Sequence, residues 1–166
     1  MAKNDLLGGS LWDQYSNKVT TLMNNPINQG EITQEECDSA GHKLIVADFG
    51  AESCGDAVRL YWEVDPANDT IVNSKFKSFG CGTAIASSDM MAELCIGKTV
   101  QQAVKITNID VEMSLRDDPE TPAVPPQKML DAGAQTIYPA HGKPFPAERL
   151  RQNMFRIKNV NLAAFF

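Results

Sequence analysis

Phe79-Gly80-Cys81-Gly82-Thr83-Ala84-Ile85-Ala86-Ser87-Ser88 is the stretch where the period of the chain changes. Before it, Ile71 to Phe79 reads as a strand. After it, Ala86, Met90 and Leu94 recur at i, i+4 and i+8, and Gly97 follows as a stop, which predicts a helix. A cysteine therefore stands between a strand end and a helix start, with a glycine on each side. Glycine neighbours let a thiolate approach a bulky inorganic group with no side chain in the way. The dipole and unpaired N–H groups of a helix N-terminus favour an anionic sulfur.

Upstream, Val58, Leu60, Trp62 and Val64 alternate with Arg59, Tyr61 and Glu63, the pattern of a half-buried strand over Ala57 to Val64. The turn Asp65-Pro66-Ala67-Asn68-Asp69 is short enough to predict an antiparallel hairpin with the strand that follows. That hairpin returns the chain to the end it left, so Cys54-Gly55-Asp56 and Cys81 are expected at one end of the sheet. Lys43 to Phe49 is a further short strand. Two thiols and a carboxylate on turns at strand ends resemble the beginning of a metal site. Zinc and iron sites built on thiolates usually take four protein ligands. One hard oxygen donor among soft thiolates weakens such a site and opens it. The chain contains no C-x-x-C, so the spacing by itself leaves small buried residues at turns as an equal reading.

The 166 residues suffice for one domain with a real core, and the formal charge of -6 argues against nucleic acid, whose binders carry a basic face. No stretch approaches the roughly 20 apolar residues of a membrane span, and the first ten residues lack the apolar run of a signal peptide. The expectation is a cytoplasmic protein with reduced thiols. Of the other cysteines, Cys37 lies among acids and reads as an inert surface residue, and Cys95 as packing at the far end of the helix after Cys81.

Ser10 is expected to cap an amphipathic helix from Leu11 to Met23, ended by Asn24-Asn25-Pro26. Residues 27 to 42 read as an exposed connection with a turn of helix. Thr99-Val100-Gln101-Gln102 has the capping-box pattern, and Asp110 is expected to cap a further turn reaching Leu115. The proline-rich run from Asp117 to Gln127 reads as a loop. Ala134 to Pro139 could form a strand, and Pro146 fits the first turn of a helix in which Leu150, Met154 and Ile157 are in phase.

Several of these segments together resemble a known family. They are Tyr15-Ser16-Asn17-Lys18-Val19 with Asn25-Pro26, Ser53-Cys54-Gly55-Asp56, the block from Phe76 to Ser88, and Gly97-Lys98-Thr99-Val100. Leu11 to Met129 is similar to the N-terminal, U-type scaffold domain of the iron–sulfur cluster assembly proteins, the NifU/IscU family. The resemblance implies an α+β fold, a small three-stranded antiparallel sheet backed by helices. It implies a non-catalytic scaffold on which a [2Fe-2S] cluster forms from iron and from sulfur delivered by a cysteine desulfurase, for transfer to recipient apo proteins. Carried over by position, Cys54 and Cys81 are cluster ligands, Asp56 is the carboxylate that keeps the cluster labile, and zinc can take the site when no cluster is present. Two chains sharing one cluster, a homodimer, would suit a site of three ligands.

The tail departs from the family. A third cysteine, usually preceded by histidine, is expected after Pro125-Pro126-Gln127-Lys128-Met129, where this chain has Leu130-Asp131. Residues 1–129 are therefore read as the scaffold domain and residues 130–166 as an atypical C-terminal segment. Leu130 to Gly142 is similar to the late segment of metallo-β-lactamase-fold hydrolases. That chemistry needs a histidine cluster, and the chain has two histidines, His42 and His141, with no H-x-H-x-D-H run. His141 and Asp131 are the candidates to replace the missing ligands. The alternative to a working scaffold is a binding module that keeps a weak zinc or iron site, or the desulfurase-docking surface alone.

Overall fold

The structure is a computed structural model that describes residues 15–51, 56–120, 136–137, 145–146 and 148–149. Three strands, β1 (Lys43–Ala51), β2 (Asp56–Asp65) and β3 (Thr70–Phe79), form one antiparallel sheet in the order β1-β2-β3. Among the described residues two helices precede it, α1 (Asn17–Asn24) and α2 (Gln34–Ala40). Within residues 56–120 three helices follow, α3 (Gly82–Cys95), α4 (Val100–Ala103) and α5 (Asn108–Leu115), and a two-residue pairing of β4 (Thr136–Ile137) with β5 (Phe145–Pro146) comes later in the chain. The α+β architecture that the resemblance implies, a three-stranded antiparallel sheet with helices, is the one observed.

The alternating residues of β2 place Leu60, Trp62 and Val64 on one face, where they pack with Ile71 and Phe76 of β3 and with Ala92 and Cys95 of α3. Phe76 and Ile71 are fully buried, and burial on that scale stabilises by about 1.5–3 kcal/mol per side chain. Helix α3 buries residues around much of its circumference because it lies between the sheet and a second cluster, Val19, Leu22, Ala86, Met90, Val111 and Leu115, shared with α1 and α5. Apolar residues recur on its sequence more densely than on a surface helix for that reason.

The opposite sheet face is covered around Tyr61. Tyr61, expected to face solvent, is buried with Ile32 and Cys37. Cys37 is thus a core residue of α2, a full seven-residue helix closed by a Thr33–Glu36 capping box. The charged residues around Cys37 hide its burial from a reading of composition. Desolvation, reinforced by Glu63, Asp38 and Glu36, raises its thiol above the ordinary range. Cys95 is buried as expected, and burial pushes its thiol up to about 11.

Other expectations shift at helix ends. Ser16, not Ser10, caps α1: its hydroxyl accepts the Val19 N–H at 3.1 Å and donates to the Leu115 carbonyl. The non-helical Ser16 breaks the predicted continuity from Leu11, and Ser10 lies outside the described residues. Thr107 caps α5, with Asp110 at the third position closing the box from the other side. Pro146 pairs with Thr136 as a strand residue, and Glu148–Arg149 are helical just after it.

Candidate functional site

Cys81 sits where β3 ends and α3 begins. It is the N-cap residue of α3, with extended backbone (φ -73°, ψ 167°), and its carbonyl accepts the Ile85 N–H at 3.1 Å. Its thiol does not cap the helix. It is exposed and lies 3.1 Å from Thr83 Oγ1.

The sheet register brings Asp56 to the same place. Asp56 opens β2 as the register partner of Ala51, and its neighbour Ala57 pairs with Phe79. The Cys81 backbone N–H donates to Asp56 Oδ1 at 3.3 Å across 25 positions of sequence. A carboxylate there also lies against the positive end of the α3 dipole. The hairpin argument therefore holds for these two residues. Cys54 falls in the four-residue link between the paired strand ends Ala51 and Asp56 and lies outside the described residues, as do Asp131 and His141.

Two glycines make the approach possible. A Cβ on Gly80 would fall on the Asp56 carboxylate and lie 3.3 Å from Ala84 Cβ. A Cβ on Gly82 would run into Met23 of α1, whose Cγ and Sδ would be 3.3 and 3.4 Å away. The Gly-Cys-Gly pattern is thus the consequence of packing a carboxylate and a helix against the same turn. Among the described residues no three His, Cys, Asp or Glu side chains converge. The described arrangement offers one exposed thiol, one carboxylate and a helix N-terminus, a partial donor set of mixed sulfur and oxygen.

Two exposed aromatic side chains, on opposite faces of the sheet by the register, stand near this end, and sequence reasoning did not single them out. Phe79, next to Gly80, is 80% exposed, and Phe49 on β1 is 61% exposed. Their strand periodicity predicted alternation but not which face would lack a cover.

Residues 14–138 match the NifU-like N-terminal domain family. The chain belongs to that family. A nitrogen fixation protein NifU from Nostoc sp. is 39% identical over 140 residues, covering 82% of this chain and 45% of that protein. The iron–sulfur cluster assembly scaffold protein IscU of Aquifex aeolicus is 35% identical over 129 residues, covering 76% and 73%. A crystal structure from Fervidobacterium islandicum, named for iron–sulfur cluster assembly in the SUF system, overlaps 55% of this chain and 60% of its own, with 33% identity and a TM-score of 0.45. The chain spans less than half the length of the NifU relatives it matches. Within this NifU-like domain, Asp56 and Cys81 occupy the sheet end expected of them, and no helix among the described residues is long and apolar enough to cross a membrane.

Proposed function

We propose that this NifU-like domain is a non-catalytic scaffold on which an iron–sulfur cluster of the [2Fe-2S] type is built and from which it is passed on. Cys54, Asp56 and Cys81 are its ligands in this reading, with iron as one substrate and persulfide sulfur from a cysteine desulfurase as the other. The observation that carries it is the exposed Cys81 thiol at the α3 N-terminus, tied through its backbone to the Asp56 carboxylate. Its support from relatives is the name of the Aquifex protein, an assembly scaffold.

The residues suit the task. A site thiolate attacks the outer sulfur of the desulfurase persulfide, the S–S bond breaks, and the donor cysteine leaves as a thiolate. Reducing that sulfur to bridging sulfide takes two electrons from an external reductant. A carboxylate ligand beside thiolates holds iron less tightly than a fourth sulfur would, which suits a cluster that must leave for a recipient apo protein. With no cluster, the same donors suit zinc. Asp131 and His141 are the candidates for completing the set in one chain, and a second copy of the chain is the other route.

Anaerobic reconstitution with iron, sulfide and a cysteine desulfurase tests the reading. The expected result is a [2Fe-2S] absorption spectrum, with iron and sulfide in equal numbers, lost on Cys54→Ala or Cys81→Ala. Unchanged spectra in both variants would overturn the ligand assignment. No cluster, with desulfurase binding intact, would establish the binding-module alternative that Leu130-Asp131 raises.

A further inference from the structure

Thr83 is the residue that meets the Cys81 sulfur: its Oγ1 lies 3.1 Å from Cys81 Sγ. Both ends of this contact are anchored in the backbone of α3. The Cys81 carbonyl accepts the Ile85 N–H at 3.1 Å, and the Thr83 carbonyl accepts the Ser87 hydroxyl at 2.6 Å. Asp56 Oδ1 accepts the Cys81 N–H. The carboxylate therefore fixes the backbone of Cys81, and among the described residues the Thr83 hydroxyl is what meets its side chain.

The contact is not a by-product of helix capping. In α1, α2, α4 and α5 the N-cap is Ser16, Thr33, Thr99 or Thr107, whose side-chain oxygen accepts an N–H of the first turn. Helix α3 starts from Cys81, which makes no such bond, and Thr83 is its second residue rather than its cap. A threonine within a helix can turn its hydroxyl to the carbonyl three or four residues back. From position 83 those carbonyls belong to Gly80 and Phe79, which precede the helix. The hydroxyl is left for the sulfur.

We propose that Thr83 is a positioning residue of the cluster site: its hydroxyl donates to Cys81 Sγ, holds that sulfur in one rotamer in the metal-free protein, and raises the reduction potential of a cluster bound through it. The direction of the bond follows from charge. Either a thiol or a hydroxyl can donate, but a thiolate, free or bound to iron, has no proton to give. The hydroxyl is therefore the donor whenever the sulfur serves as a ligand. A donor on a ligand sulfur stabilises the reduced cluster, which carries one more electron. It works against Asp56, whose carboxylate adds negative charge at the same sheet end. The rotamer part of the proposal concerns this chain alone, and the potential rests on the scaffold reading.

The test compares Thr83→Val, Thr83→Ala and Thr83→Ser with the parent, each as the full chain. Valine keeps the branched shape and loses the hydroxyl. Alanine is the better helix former should valine disturb the fold, and serine keeps the donor. Backbone amide NMR spectra check the fold. The first readout is the set of Hα–Hβ couplings of Cys81 in the reduced, metal-free protein. The parent and Thr83→Ser should show the couplings of one staggered rotamer, and the two hydroxyl-free variants averaged ones. The second readout is the midpoint potential of the reconstituted cluster. Dithionite supplies the one electron, which reduces one ferric ion and leaves the bond from iron to Cys81 intact. Thr83→Val should take up that electron about tenfold less favourably, a fall of about 59 mV, and Thr83→Ser should restore the parent value. Averaged couplings already in the parent, single-rotamer couplings in the hydroxyl-free variants, or an unchanged potential would each overturn the proposal. If the parent forms no cluster, the scaffold reading fails and the couplings alone decide the role of Thr83.

Discussion

Gly80 stands so close to Asp56 that a Cβ built on it would meet the carboxylate, with Cγ 3.0 Å away. The contact couples the β3–α3 turn to the start of β2, and so couples Cys81 to the carboxylate that accepts its N–H. A methyl group at position 80 must push one of them aside. Gly80→Ala is expected to cost about 1–3 kcal/mol, the range for overpacking, and to lower the yield of reconstituted cluster several-fold. Thermal unfolding and visible absorption, measured on the same samples, check both effects.

Asp56→Ala is expected to act differently from the cysteine variants. Removing the oxygen donor leaves the thiols in place, so a cluster still assembles but leaves more slowly. The measurement is the rate of transfer to an apo ferredoxin, which should fall by about tenfold or more, equivalent to about 1.4 kcal/mol of added barrier. A variant that transfers as fast as the parent would remove Asp56 from the ligand set.

Asp89 is fully buried in α3 and accepts the backbone N–H groups of Ile27 and Asn28, the latter at 3.0 Å, and the Asn28 side-chain amide at 2.7 Å. The loop so held runs along β3, where Asn28 and Gly30 exchange backbone hydrogen bonds with Phe76. Asp89→Ala leaves these donors buried without an acceptor, at a cost of about 3 kcal/mol or more. Chemical denaturation should show a lower midpoint. Cys81 labelling in the folded state should be unchanged, because the loss is structural and distant from the thiol.

The thiols should separate by reactivity. Cys81 is exposed and should react with a thiol reagent at pH 8 in the native protein, whereas Cys37 and Cys95 should react on unfolding. Burial raises the Cys95 thiol from about 9 to about 11. The folded state therefore holds this proton more tightly than the unfolded chain does. The resulting stability is fully present below pH 9 and is lost as pH rises through about 11. Urea midpoints should fall as the pH is raised from 8 to 11. Cys95→Ala should flatten that part of the profile.

The three strands, the helix after Cys81 and the capping box at Thr99 were legible because each rests on a local signal: a period of two, a period near 3.6, or a side chain bonding its own helix end. The cap at Thr107 was within reach of the same rule, since a threonine with an acid three residues on is its signature. Cys37 was not, because its neighbours in sequence are acids and its neighbours in space are Ile32 and Tyr61.

The order of hydrophobic and polar residues by itself determined the elements, the hairpin and therefore the meeting of Asp56 with Cys81 at one sheet end. Periodicity carries that information because side-chain direction follows from backbone geometry alone. Which faces are covered was decided by the tertiary structure. The burial of Tyr61 and Cys37, the packing of Met23 against Gly82 and the exposure of Phe49 depend on how α1, α2, α3 and α5 are stacked. Packing joins residues distant along the chain, and no local pattern encodes which of two apolar surfaces will find a neighbour.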